Sequence, residues 1–152
     1  MNRKLLAACL ALALGAGFSL NAAAQAKPDV LVKQRQAAMT LQGKYFGPLG
    51  AMAQGKAPYD AAVVARNAGY LEVLVKLPWD GFAASTQDSK SAALPEVWKD
   101  GAGFKAAQDK LQEEVGKLVA AAKGGDEAAI KAQLGAVGKS CGGCHEKFRQ
   151  KQ

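Results

Sequence analysis

Apolar residues recur along most of this chain at the three- and four-residue spacing of helices that bury one face. Lys27-Pro28-Asp29 reads as a helix start, with Pro in the first turn and Asp at the positive end. From there to about Gly43, and on to Ala53, Val32, Arg35/Gln36, Met39 and Phe46 share one stripe, while Leu31, Ala38, Leu41 and Tyr45 share another. Gly47-Pro48 predicts a kink or a brief interruption in this helix. After a break over Gly55 to Pro58, Asp60 is the expected N-cap of a second helix ending at Leu77, before Pro78, with Val64, Ala68, Leu71 and Val75 inward. Pro78 to Pro95 reads as a loop rich in Ser, Ala and Gly, interrupted by Trp79 and Phe82. A third helix is expected from Pro95 or Ala102 to Ala122, with Phe104, Ala107, Leu111, Val115 and Leu118 on one face and the pair Glu113–Lys117 on the other. Gly124-Gly125 ends it, and Asp126 caps a fourth helix running to about Arg149. Three connections, two of them short, make an all-α, antiparallel four-helix bundle the economical architecture.

The N-terminus does not belong to that bundle. Arg3 and Lys4, an uncharged run from Leu5 to Leu20, and the small residues Ala22-Ala23-Ala24 form the three parts of an export signal. The run is shorter than the roughly 18 to 20 residues of a membrane span. Leu6-Ala7-Ala8-Cys9 resembles a lipobox, but it lies too close to Lys4 to have an apolar segment ahead of it. The expectation is a cleaved signal over residues 1–24, a single domain over 25–152, export to a periplasm and no stable membrane anchor.

Composition narrows the chemistry. With 152 residues, 49% hydrophobic and 22% charged, the chain is neither disordered nor large enough for several domains. Its formal charge is +7; without Arg3 and Lys4, 18 basic against 13 acidic residues leave +5. The basic residues are dispersed among acids and no nucleic-acid module is recognisable, so nucleic acid is not an expected partner. Aromatics are only 7%, so the core depends on Ala, Val and Leu.

The candidate chemistry lies in the fourth helix. Cys141-Gly142-Gly143-Cys144-His145 is a C-x-x-C-H motif, the attachment signature of c-type haem. Once the signal is removed with Cys9, these are the only two cysteines, and His145 is the only histidine. The stripe Ile130, Leu134, Val137, Cys141, Cys144/His145, Phe148 keeps helical spacing through the motif, which puts Cys141 and His145 one turn apart on the inward face. A redox dithiol would open a helix beside a sheet, a structural zinc would need a second ligand pair, and a disulfide across one helical turn would be strained.

These residues carry a resemblance. Arg35-Gln36-Ala37-Ala38-Met39, Lys56-Ala57-Pro58-Tyr59-Asp60, Leu77-Pro78-Trp79, Pro95-Glu96-Val97-Trp98, and Cys141 to His145 followed by Phe148-Arg149 resemble, in order and spacing, the cytochrome c′ family of class II c-type cytochromes. The resemblance implies one covalent haem c on a four-helix bundle, with Cys141 and Cys144 as thioether anchors and His145 as proximal iron ligand. It implies that Arg35 pairs with a haem propionate and that Gln36 lies against the haem edge. Trp79 and Phe82 would cover the haem from the loop, and Arg149 would lie near the proximal imidazole.

Met39 leaves two arrangements open. It packs over the distal face of a five-coordinate iron, the usual state of the family and one suited to NO or CO, or its sulfur ligates the iron, as in low-spin relatives that only transfer electrons. The implied function is electron transfer, binding of such diatomics, or both, with redox proteins as partners and a homodimer through the first two helices. A haem enzyme with weak peroxidase or NO-reducing activity is the alternative. No acid/base pair can be placed on the distal side to support it.

Overall fold

The computed structural model describes residues 26–151. The expected signal over residues 1–24 lies outside them. Four long helices run in the anticipated order: α1, Pro28–Ala53; α2, Ala61–Leu74; α3, Gly101–Gly124; and α4, Glu127–Phe148. Pro28 opens α1 with Asp29 in its first turn, and the helix continues unbroken through Pro48, so the expected kink does not interrupt it. Asp60 and Asp126 cap α2 and α4, each side chain accepting from two backbone amides, while Gly125 ends α3 with φ of 76°. The Glu113–Lys117 pair forms on the exposed face of α3.

Three boundaries differ from the sequence reading. α2 stops at Leu74 rather than Leu77, because its last carbonyls are taken by other donors: Gln42 Nε2 reaches Leu74 O at 3.0 Å and Trp79 Nε1 reaches Val75 O at 2.7 Å. The following amides tighten onto Val73 and Leu74 before Pro78. The third helix is two helices, a single turn at Glu96–Lys99 and then α3. Asp100 leaves helical geometry at φ −113°, ψ 60° and caps α3 through Gly103 N. The long loop is partly ordered by 3₁₀ turns at Trp79–Phe82 and Ala84–Thr86.

The main core joins Leu49 and Met52 of α1 to Val64, Ala68 and Leu71 of α2 with Val75 just beyond, Leu111, Val115 and Leu118 of α3, and Ile130, Leu134 and Val137 of α4. A second cluster, Val97, Phe104 and Phe148, lies at the other end. Leu41, expected on an inward stripe, is 40% exposed, whereas Gln42 beside it is buried. α1 gives the main core only its C-terminal half. Its span from Arg35 to Phe46 borders a cavity between the two clusters.

Candidate haem site

The cavity measures about 680 Å³, within the range of small-molecule and cofactor sites. All nine residues singled out from the sequence border it: Arg35, Gln36 and Met39 from α1, Trp79 and Phe82 from the loop, Cys141, Cys144 and His145 from α4, and Arg149 at its end. Leu71, Val75, Leu111, Val115 and Val137 form an apolar floor.

The wall on α4 follows from helical spacing. Val137 and Phe148 are buried, and Cys141 and Cys144 between them are half-buried. Burial pushes both thiols upward, and for Cys141 the neighbouring Cys144 adds to the shift. Both are therefore protonated at neutral pH, opposite to the lowered thiol of a redox dithiol. Burial, assisted by the positive charge of Arg149, pushes His145 downward and leaves a neutral imidazole, the form that ligates a metal. Among the described residues, no group of three or more His, Cys, Asp or Glu gathers to hold a metal ion, so the motif lacks the further ligands of a zinc site.

The loop is tied over the cavity at two places. At the end of α4 the chain turns extended at Arg149 and forms a bridge with Ala93; Leu94 N donates to Phe148 O at 2.9 Å and Gln150 N to Ala92 O at 2.8 Å. From α1, the buried Arg35 guanidinium donates through Nη1 to Gly81 O and to Thr86 Oγ1 at 2.9 Å, and through Nη2 to Ser91 Oγ at 2.8 Å. Its carbon sits 4.4 Å from the Phe82 ring centroid and 6.0 Å from that of Trp98. Burial lowers the Arg35 pKa, yet an arginine stays charged. Gly81 permits the close approach, since a Cβ there would stand 2.5 Å from Arg35 Cβ and 2.8 Å from Leu31 O.

Aromatic rings complete the wall. Trp79 lies 6.3 Å from Phe82 and 6.0 Å from Phe104, Phe82 and Phe104 are 4.9 Å apart, and Phe104 meets Phe148 edge-on at 5.2 Å. Trp98 Nε1 donates to Phe82 O at 3.0 Å and fixes that loop carbonyl. Gln36 and His145 are exposed at the cavity edge, and Met39 is half-buried.

Sequence reasoning missed Gln42, Thr86 and Ser91. Gln42 sits in the Met39–Phe46 register and was detectable as a polar residue at an inward position. Thr86 and Ser91 carry no periodic signal, because they act across 51 and 56 residues of chain.

The residues fit a haem. Two thiols and one neutral imidazole share one wall of an apolar, porphyrin-sized cavity whose opposite side carries a thioether. Residues 30–149 match the family model described as cytochrome C′. The chain is 49% identical over 126 residues to cytochrome c′ of Rubrivivax gelatinosus, covering 82% of this chain and 98% of that one. The crystal structure of that protein superimposes with a TM-score of 0.78. Cytochrome c prime from Shewanella frigidimarina is 36% identical, with a TM-score of 0.80 over 84% of this chain and 99% of its own. A ferrous variant of cytochrome c prime from Alcaligenes xylosoxidans with bound NO is 41% identical, with a TM-score of 0.77 over 84% and 99%. A carbon monoxide-bound variant of the same protein is 43% identical at a TM-score of 0.76, over 83% and 98%. With motif, cavity, fold and relatives in agreement, the chain belongs to the cytochrome c′ family and takes one covalent haem c as its cofactor.

Proposed function

We propose that this protein is a periplasmic haem protein that binds NO, CO or a similar neutral diatomic at a five-coordinate iron and exchanges electrons with redox proteins. The observation that carries the reading is the asymmetry of the cavity: cysteines and histidine on α4, a thioether and no carboxylate on the α1 side. Cys141 and Cys144 anchor the haem and His145 ligates its iron. The bound haem supplies a redox-active iron and a coordination position for a small ligand.

The chain's own residues prepare the rest. Arg35, held by the loop through Nη1 and one Nη2 bond, keeps further N–H groups for a propionate, and Gln36 lies at the same edge. Met39 packs over the α1 side as an adaptable apolar filler. Trp79 and Phe82 exclude water from the loop side, and burial, with the positive charge of Arg149 adding to it, disfavours protonation of the His145 imidazole. The cavity lining holds no Asp or Glu and only one His, which favours a carrier and gas binder over a peroxidase or NO reductase. NO and CO complexes of Alcaligenes xylosoxidans relatives support the choice of ligand. The leader over residues 1–24 supports export, and no described helix is long and apolar enough to cross a membrane.

Titrating the reduced holoprotein with CO and NO tests the reading. Both gases are expected to change the absorption spectrum saturably at one ligand per haem. No change with either gas would defeat it.

A further inference from the structure

Gln42, a buried polar side chain on the cavity wall, has bonding capacity left over that the haem contacts proposed above do not use. Gln42 is 9% exposed, one helical turn past Met39 and one before Phe46 on α1. Its Nε2 donates to Leu74 O at 3.0 Å, its one hydrogen bond within the described residues. A carboxamide carries two N–H donors and an acceptor oxygen, so one N–H and Oε1 stay unused. Arg35, the other buried polar group on this wall, is fixed by Gly81, Thr86 and Ser91. Beside Gln42, Gly43 also borders the cavity, and no atom lies within 4 Å of where its Cβ would stand. Met39, Gln42, Gly43 and Phe46 thus border the cavity together, and Gln42 is the buried polar side chain among them.

We propose that Gln42 is the specificity-determining residue for diatomic binding, its free N–H donating a hydrogen bond to a ligand held in the cavity against this stretch of α1. The inference rests on the open-iron reading above. Donors on the ligand side of a haem select among gases, because NO and dioxygen draw more charge from the iron than CO does. An amide donor rewards the more polarised ligand, and a pocket of Met and Phe alone would not.

The test uses the holoprotein with Gln42→Leu and Gln42→Met, each checked by thermal melting for loss of the Leu74 contact. In both variants the C–O stretch of the CO complex is expected to move to higher wavenumber. NO is expected to dissociate about three- to tenfold faster, the loss of one net hydrogen bond, and CO less than about twofold faster on the same scale. CO and NO bound with an unchanged stretch and unchanged NO dissociation would overturn the role of Gln42 alone. A wild-type protein that takes up neither gas would overturn the open-iron reading and this one with it.

Discussion

Arg35 on α1 donates to the hydroxyl of Thr86 at 2.9 Å, and that hydroxyl, which is fully buried, donates in turn to Ala83 O at 2.7 Å. This relay is what ties the long loop down over the cavity. Thr86→Val keeps the shape and removes the hydroxyl, so it should lower unfolding free energy by about 1–2 kcal/mol. Arg35→Leu, which frees Gly81 O and Ser91 as well, should lower it by about 3 kcal/mol. Urea denaturation of the holoprotein checks both, and a smaller effect for Arg35→Leu than for Thr86→Val would contradict the relay.

Stability should also respond to acid through Glu114. Its carboxylate is nearly buried between α3 and α4 and is held down to about 2, first by Lys110, then by Gln133 and Lys117. A folded-state pKa below the ordinary Glu value of about 4.3 means that the ionised group stabilises the fold above that pH. The contribution fades as pH falls toward about 2. Glu114→Gln should therefore melt below the wild type at pH 6, with the gap narrowing steadily toward pH 2. A gap independent of pH would show that the carboxylate charge is not what matters.

α1 and α2 carry several large apolar side chains exposed to solvent. Tyr70 and Val73 on α2 and Leu77 just past it are 47%, 59% and 56% exposed, and Leu41 of α1 is 40% exposed. A homodimer through these helices would cover them. Val73→Lys should halve the mass seen by sedimentation without changing the haem spectrum. A wild type that sediments as a monomer at the same concentration would exclude this interface.

Much of this fold is legible in the sequence because its signals are local. Asp60, Asp126 and Gly125 mark helix ends through bonds to residues two to four positions away, and the stripe through Cys141 and His145 needs only the helical period. Leu41 and Gln42 show where periodicity fails. In the middle of α1 the inward side faces a cofactor cavity and the end of α2 rather than a packed helix, so hydrophobicity does not tell which neighbour turns inward. The loop bonds of Arg35 join residues some 50 positions apart, which no local pattern announces.

The coordination of the iron is the centre of the account, and Met39 is the residue on which it turns. The absorption spectrum of the oxidised holoprotein at neutral pH tests it most directly. With His145 as the sole protein ligand and Met39 only packed over the α1 side, the spectrum should be that of a high-spin, five-coordinate haem. A low-spin spectrum with the weak near-infrared band of Met–iron ligation would contradict it.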